Sequence, residues 1–312
     1  MRFTLKQIEY FVAAGETGSI TLASERVHIS QPSISAAISQ LEQAFGFQLF
    51  IRHHAQGLSL TSQGTHFLRE AKNLLLQAEE LNAIAAALSG KVTGSLEIGC
   101  LSTLYPLLAP ELVHAFQARF ATARIQARAG NQASLIADLR RGDITLALGY
   151  DFAIPADIGF EMLASLPPFV FLAADHPLAR HPSTRRHGVS LREMAEEPLL
   201  LLDRPDSRDY CLSLFHGRSL APNLFGTFEH MDAIRSLAAR GDGYGIGHVR
   251  PRNMASLEGL PLAYLAIEDP TPPLPLGLMA LKGLRHTRMA EAFIDFCREF
   301  VNAGHLPGTS TS

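Results

Sequence analysis

The stretch "SQPSISAAISQLEQAFGFQLF" (residues 30–50) has the pattern of an amphipathic helix followed by a turn. It contains a single charged residue, Glu42, and no lysine or arginine. Its apolar residues recur at helical spacing and fall on one face: Ile34, Ile38, Leu41 and Phe45. The opposite face is small and polar: Ser33, Ala36, Ser39, Gln40 and Gln43. Such a face offers hydrogen bonds rather than charge to whatever it contacts.

Two shorter helices are predicted before this one. The first has an apolar stripe over residues 5–12, and we expect Gly15 and Gly18 to break it. The second is expected to begin after the N-cap residue Ser19, and the third after Ser30. The N-terminal region is therefore predicted to consist of three short helices in close succession.

A helix-turn-helix is the arrangement that these helices predict. Pro32 falls in the first turn of the third helix, where a missing N–H costs nothing, and residues 47–61 alternate around Gly57 as in a small hairpin. In a helix-turn-helix the second helix of the motif enters the major groove of DNA. Glutamine bonds adenine in a bidentate manner there, and serine serves as donor or acceptor.

The long predicted helix at residues 61–89 carries a regular apolar seam, with Thr61 as its N-cap. The seam residues are spaced alternately four and three positions apart: Phe67, Ala71, Leu74, Ala78, Leu81, Ala85 and Leu88. This spacing is typical of a coiled coil, and a lone helix of this kind needs a partner. The seam either packs on its own domain or forms a dimer, and its regularity favours the dimer.

After residues 90–94 ("GKVTG"), short apolar runs alternate with helical patterns, which predicts an α/β fold with mostly parallel sheets. The predicted strands include 95–100, 124–128, 144–150, 168–174, 198–202, 243–249 and 275–281, and the predicted helices 104–120, 134–141 and 286–301. The length suits two lobes, with crossings near residues 166–168 and 268–275.

These features together resemble the LysR-type transcriptional regulators. The resemblance is carried by Ala23 and Ser24, "SQPSIS" (30–35), "LE" (41–42), "LF" (49–50), Arg52 and "LTSQG" (60–64). It implies an α/β protein with an N-terminal all-α winged helix-turn-helix, a long linker helix and a two-lobed, periplasmic-binding-protein-like effector domain. The expected boundaries are 1–60, 61–90 and 91–312, with lobe 1 at about 91–166 and 268–303 and lobe 2 at about 167–267.

The resemblance also implies the partners of the protein: double-stranded promoter DNA, a small-molecule effector, and further copies of itself. A homodimer or homotetramer is expected, formed through the linker helix and the effector domain. The candidate DNA-binding residues are Ser30, Gln31, Pro32, Ser33, Ser35, Ala36, Ser39, Gln40, Arg52 and His53.

The charge of the DNA-binding region departs from the family pattern. Family members commonly carry arginine or lysine where this chain has Ala36, Ser39 and Gln40. Four basic and four acidic residues within the first 60 positions cancel, so few phosphate contacts and a shallow salt dependence are expected. His53 and His54 on the wing either give a pH-sensitive phosphate contact or are simply solvated.

An effector cleft between two α/β lobes places its ligand at strand ends and helix N-termini. The candidate effector residues on this basis are Ser102, Thr103, Gln132, Tyr150, Asp203, Ser207, Arg208, His230 and His248. Ser102 and Thr103 match the first-strand position of the family, or only cap a helix. Arg208 either clamps a carboxylate, which favours a small organic acid or amino-acid-like anion as effector, or pairs at the surface with Asp206 or Asp209.

Other classes of protein fit the sequence less well. A redox-responsive regulator needs an accessible thiol of low pKa, whereas the three separated cysteines, Cys100, Cys211 and Cys297, fit small apolar fillers better. Motifs of hydrolases, nucleotide-binding enzymes and zinc proteases are missing, so we expect no enzyme, metal or cofactor. With no signal peptide and no apolar run that spans a bilayer, a transport-type binding protein is disfavoured, and a cytoplasmic protein without membrane contact is expected.

Overall fold

The computed structural model describes residues 3–53, 57–87 and 92–306. Its first three helices are α1 (Leu5–Thr17), α2 (Ile20–Val27) and α3 (Gln31–Phe45). Within the described residues no helix is both long and apolar enough to cross a membrane. The break predicted at Gly15 is wrong, because α1 continues through it and ends only at Gly18, whose φ of 62° suits a glycine cap.

The caps of the next two helices differ from each other. The Ser19 side chain accepts a hydrogen bond from the Leu22 N–H and caps α2 as predicted. Ser30 occupies the N-cap position of α3, but its hydroxyl pairs with the Ser33 hydroxyl at 2.8 Å instead of with a backbone N–H. The two serines therefore form one polar unit at the start of α3.

The predicted hairpin is confirmed as β1 (Phe50–His53) paired antiparallel with β2 (Gly57–Leu60). His54 lies outside the described residues. Glu42 supports the turn into β1, since its carboxylate accepts the N–H groups of Leu49 at 2.8 Å and Phe50 at 3.3 Å. The one charged residue of the opening stretch is thus used to fix the backbone.

The linker helix α4 (Ser62–Ala87) divides its apolar seam between two environments. Thr61 caps it as predicted, through a 2.8 Å hydrogen bond from the Gly64 N–H. Three seam residues pack into the core of the N-terminal helices: Phe67, Ala71 and Leu74. Leu81 is 68% exposed, while the Ala85 side chain and Leu88 lie outside the described residues. The first half of the seam therefore packs on its own domain.

Strands and helices alternate through the rest of the chain. In order they are β3 (Gly94–Leu101), α5 (Tyr105–Arg119), β4 (Ala123–Gly130), α6 (Gln132–Arg141), β5 (Leu146–Tyr150), β6 (Ile158–Leu166), β7 (Phe169–Ala173), α7 (Pro177–Arg180), α8 (Pro182–His187), α9 (Leu191–Glu196), β8 (Pro198–Leu202), α10 (Pro205–His216), β9 (Asn223–Phe228), α11 (Met231–Arg240), β10 (Gly245–Gly247), β11 (Leu262–Ala266), β12 (Leu274–Leu281) and α12 (Arg288–Asn302).

The sheets are mixed, so the expectation of mostly parallel sheets is wrong. In the five-stranded sheet, of order β4-β3-β5-β12-β6, β3 runs parallel to β4 and β5. Strand β12 runs antiparallel to β5 and β6, with Leu276 opposite Tyr150. The chain returns from the second lobe at the end of the sheet where β5 finishes. Strand β12 therefore runs back alongside β5 in the opposite direction.

The second lobe has a three-stranded sheet, β10-β7-β11, which is antiparallel, and a parallel pair, β8-β9. A bridge between Leu199 and Tyr244 joins the two. The chain enters this lobe between Leu166 and Phe169 and leaves it between Ala266 and Leu274. The two lobes have their own hydrophobic cores, and the cleft is the space between them, lined by residues of both.

Candidate DNA-reading helix and effector cleft

The outer face of α3 is exposed along its length. Its apolar face is buried as predicted, with Ile34, Ile38 and Leu41 inside the core. The exposed candidate residues are Gln31, Pro32, Ser33, Ala36, Ser39 and Gln40, with Ser35 half-buried and Ser30 beside them at the N-cap. Small side chains over this face allow the helix backbone to approach the edges of bases closely.

Gln40 is held in place by a residue that the sequence analysis missed. The Gln7 Nε2 donates to Gln40 Oε1 at 2.6 Å, and Gln7 Oε1 accepts the Thr4 N–H at 2.8 Å. Thr4 and Gln7 form the capping box of α1. The amide of Gln40 is thereby oriented with its own NH₂ group left to donate. The T-x-x-Q spacing at residues 4–7 was the available signal for a fixed Gln7 side chain.

Few cations accompany this face. Arg26 is paired with Glu16. Among the described residues up to Leu60, Lys6 and Arg52 are exposed and form no ion pair. The side chain of His53 lies outside the described residues. Among these described residues, Lys6 and Arg52 are thus the cations left free to approach a phosphate.

Two adjoining cavities lie in the cleft. The His248 cavity, of about 70 Å³, is lined by residues from both lobes, among them Thr103, Tyr150, Ser207, Tyr210 and His248. The Arg204 cavity, of about 170 Å³, is lined among others by Ser102, Thr103, Arg204, His230 and Arg235. Four residues line both: Thr103, Leu107, Met231 and Val249. The two cavities therefore adjoin each other along these residues.

Six of the nine candidate effector residues line these cavities: Ser102, Thr103, Tyr150, Ser207, His230 and His248. Gln132 is buried and outside the lining, where its Nε2 donates to the carbonyl oxygens of Tyr150 at 3.3 Å and Phe152 at 3.1 Å. Asp203 and Arg208 are also outside the lining. Arg208 contacts Asp209 at 3.5 Å, one of the two surface partners that the sequence left open as an alternative, and Asp203 at 3.5 Å, which was not foreseen as its partner.

Arg204 takes the place in the cleft that was predicted for Arg208. Its Nη2 donates to the Glu229 carbonyl at 3.3 Å, while its Nε is buried without a hydrogen-bond partner among the described residues. It forms no ion pair with a described carboxylate. Arg204 is the N-cap residue of α10, and the following Pro205, a typical first helical residue, was the signal that could have placed it there.

Arg235, the second arginine of this wall, is already engaged. It pairs with Asp232 at 3.1 Å and donates to the Tyr264 hydroxyl at 3.3 Å and to the Asn253 carbonyl at 2.7 Å. Its charge is neutralised and its donors are used within the protein. Arg204 is therefore the better placed of the two arginines to bind an anion.

His248 stands among aromatic rings at the other end of the site. Its ring lies 4.8 Å from Tyr210, edge-on, and 5.9 Å from Tyr150, measured between centroids. Burial lowers the pKa of His248 to about 4, so the imidazole is neutral at pH 7. Its Nε2 is buried without a hydrogen-bond partner among the described residues. Burial also raises the pKa of Tyr150, and that of Tyr210 to about 12.

The three cysteines are buried and free. Burial raises the pKa of Cys100 and of Cys211 to about 12, and it raises that of Cys297 as well. Thiols of this kind are protonated at neutral pH and are poor targets for oxidants. The redox alternative is therefore not favoured.

Comparison with known proteins agrees with this architecture. The family model described as "Bacterial regulatory helix-turn-helix protein, lysR family" matches residues 5–65, and "LysR substrate binding domain" matches residues 89–302. The HTH-type transcriptional regulator TfdS of Cupriavidus pinatubonensis is 30% identical over 297 residues, which cover 94% of this chain and 97% of that protein.

Solved structures with the same fold cover nearly the whole chain. HinK, a LysR family transcriptional regulator from Pseudomonas aeruginosa, is 33% identical with a TM-score of 0.63, over 96% of this chain and 99% of that one. A full-length OxyR variant from Pseudomonas aeruginosa is 23% identical with a TM-score of 0.74, over 95% and 98%, and shows the fold alone. The chain thus belongs to the LysR family and is a transcriptional regulator with a helix-turn-helix domain and an effector-binding domain.

Proposed function

We propose that this regulator reads promoter DNA with the Ser/Gln face of α3 and responds to a small organic acid or amino-acid-like anion bound in the cleft between its lobes. The proposal includes the division into residues 1–60, 61–90 and 91–312. The single observation that supports the anion most directly is the Arg204 guanidinium, which lines the cleft without a carboxylate partner among the described residues.

The DNA part of the proposal rests on the chemistry of α3. Gln31 and Ser33 lie in its first turn, the part of a recognition helix that meets base edges, and both are exposed. With so few unpaired cations nearby, affinity depends on base contacts and on several DNA-binding heads acting together. Specific binding is then expected to exceed non-specific binding by a wide margin even at moderate salt.

The effector part rests on the electrostatics of the cleft. Helices α5, α10 and α11 all begin at the lining of the two cavities, and helix N-termini favour anions. Of the two acids on the Arg204 cavity, Asp232 is paired with Arg235, and Glu229 is exposed, so its charge is screened by solvent. An acidic group next to Arg204 is the ligand chemistry that this arrangement favours.

The response to the effector follows from the thermodynamic linkage between effector binding and the conformation of the protein. An effector that contacts both lobes stabilises the lobe arrangement that brings those contacts together, and it shifts the population of oligomer conformations accordingly. We propose that the protein acts in the cytoplasm as a homodimer or homotetramer formed through α4 and the effector domain. The exposed Leu81, on the seam beyond the N-terminal core, supports a partner for that part of α4.

A matched pair of arginines tests the effector assignment. Thermal shift against small acids, amino acids and aromatic carboxylates identifies ligands of the folded protein, because a ligand of the native state raises its melting temperature. Titration calorimetry then compares Arg204→Gln with Arg208→Gln. We expect the first substitution to weaken binding of the acid about tenfold or more, and the second to leave it within about twofold. Binding only of neutral or cationic ligands would contradict the proposal.

A further inference from the structure

We infer that the effector is a hydroxylated acid, with its acidic group at Arg204 and a neutral hydroxyl, carried on a flat apolar body, at the Nε2 of His248. The inference rests on the proposed function for the acidic end of the ligand. It adds the chemistry of the end of the ligand opposite the acidic group, which is inferred from the lining of the His248 cavity and not from Arg204.

The two cavities adjoin along four shared residues, and a ligand long enough to pass these residues would contact both. Thr103 and Leu107 of the first lobe and Met231 and Val249 line both spaces. The cavities differ in character: the larger holds the unpaired arginine, whereas the smaller is enclosed by leucines 200–202 and by aromatic rings. A ligand that fills both is polar and anionic at one end and mostly apolar at the other.

The mostly apolar end contains a buried polar atom, the Nε2 of His248, in addition to the hydroxyl-bearing side chains of Thr103 and Ser207. This nitrogen is buried and has no hydrogen-bond partner among the described residues, a state that native proteins seldom leave uncompensated. Of its neighbouring rings, Tyr210 is edge-on and Tyr150 is tilted, and the Tyr210 hydroxyl donates to the Pro272 carbonyl at 2.8 Å instead. A ligand group is therefore the natural partner of this nitrogen.

A hydroxyl fits this nitrogen better than a charged group does. A neutral imidazole presents either a donor or an acceptor at Nε2, and a hydroxyl satisfies both tautomers because it is itself donor and acceptor. A carboxylate or ammonium would have to lose its hydration between Leu200, Leu201 and Leu202, at a cost that one neutral imidazole does not offset. The end group is consequently polar but uncharged.

The walls define the body that carries the hydroxyl. Tyr150, Phe152 and Tyr210 surround the space with ring contacts at centroid distances of 5.7 Å and 6.1 Å, and such rings pack well against another flat ring. The volume of about 70 Å³ exceeds the roughly 10–15 Å³ that one water needs, and so admits the end of a ring with its substituent. Hydroxylated aromatic acids meet these demands.

Matched pairs of acids test the inference. Titration calorimetry on the full-length protein compares benzoate with 4-hydroxybenzoate, and 3-phenylpropanoate with 3-(4-hydroxyphenyl)propanoate. We expect the hydroxylated member of at least one pair to bind about tenfold or more tightly, because its hydroxyl pairs a buried nitrogen that the other leaves unpaired. His248→Phe removes the nitrogen and should bring the ratio near one, whereas His248→Gln, which keeps an amide there, should restore part of it.

The outcomes distinguish failure of the hydroxyl assignment from failure of the acidic-effector assignment. Binding of the acids without preference for the hydroxyl in the wild-type protein, or a preference that persists unchanged in His248→Phe, overturns the hydroxyl at His248 and leaves the acidic effector standing. Absence of binding by all four acids, alongside binding of a neutral compound in the thermal-shift screen, overturns both. If His248→Phe fails to fold, the ratio of the affinities of the wild-type protein for the hydroxylated and unhydroxylated acids decides whether the hydroxyl is recognised.

Discussion

Replacement of Lys72 by methionine is expected to loosen the attachment of the DNA-binding domain to the rest of the chain. Lys72, in the linker helix, is buried, with 8% of its surface exposed. Its ammonium contacts Glu16 of α1 at 2.8 Å and also forms an ion pair with Asp143, in the turn after α6. One lysine therefore connects the DNA-binding helices, the linker and the effector domain. Methionine keeps the four-atom stem of the lysine side chain and removes its ammonium group.

The size of the effect follows from burial. Removing one partner of a fully buried ion pair costs about 3–5 kcal/mol, and removing one from an exposed pair costs about 0–1 kcal/mol. The two carboxylates are 27% and 21% exposed, and each keeps a second cation, Arg26 for Glu16 and Arg141 for Asp143. An intermediate loss of about 2 kcal/mol is expected on this basis.

Hydrogen exchange measures this loss locally. A change of about 2 kcal/mol corresponds to about a thirtyfold fall in amide protection, expected in α1 and in the first half of α4. Arg119→Met, which removes an exposed ion pair with Glu299, serves as control and should change protection of its own helices by less than about fivefold. If protection of α1 stays within about twofold of wild type in Lys72→Met, the lysine does not hold the DNA-binding helices to the effector domain.

Three further predictions concern Gln7, Asp143 and the three cysteines. Gln7→Ala should weaken binding to the specific DNA site severalfold and change binding to random DNA little, because the substitution frees the amide of Gln40 to rotate. Fluorescence anisotropy measures both affinities, and an equal loss on both DNAs would contradict this. Burial acts to raise the pKa of Asp143, but hydrogen bonds from Lys72 and Arg141 outweigh burial and leave the pKa below its usual value. The stabilisation that this carboxylate provides is therefore present above about pH 4 and is lost as the pH falls further. Amide protection of α1 that is unchanged between pH 5 and pH 3 would contradict this. Iodoacetamide at pH 7.5 should leave the three buried cysteines unmodified in the folded protein, as read by intact mass, whereas rapid alkylation would restore the redox alternative.

Periodicity predicted the elements whose burial is one-sided. The 3.6-residue pattern of α3 identified both its core face and its exposed Ser/Gln face, since each side chain position follows from the helix alone. The seam of α4 showed that the helix needs a partner but not which partner, and the structure divides it between the N-terminal core and an exposed Leu81. Strand β6 was missed because it is an edge strand whose burial follows no simple alternation.

The direction of strands and the choice between neighbouring arginines depend on tertiary structure. Nothing within residues 274–281 indicates that β12 returns antiparallel, because that follows from the position at which the chain leaves the second lobe. Arg204 and Arg208 lie four residues apart around the start of α10, so the sequence placed both near a helix N-terminus. Only the packed lobe shows that Arg204 lines the cleft and that Arg208 pairs with Asp203 and Asp209 at the surface.

Whether α3 reads bases with an uncharged face can be decided by measuring its binding to two DNA duplexes. An operator is first selected from a random duplex pool by the full-length protein. Affinities of Gln31→Ala and Ser33→Ala are then measured for the operator and for a scrambled duplex at one salt concentration, with Gln126→Ala, exposed on β4 of the effector domain, as control. If α3 reads bases, we expect about a tenfold or greater loss on the operator for Gln31→Ala, a smaller loss for Ser33→Ala, and changes within about twofold on the scrambled duplex and for the control. Equal losses on both duplexes would contradict base reading by α3.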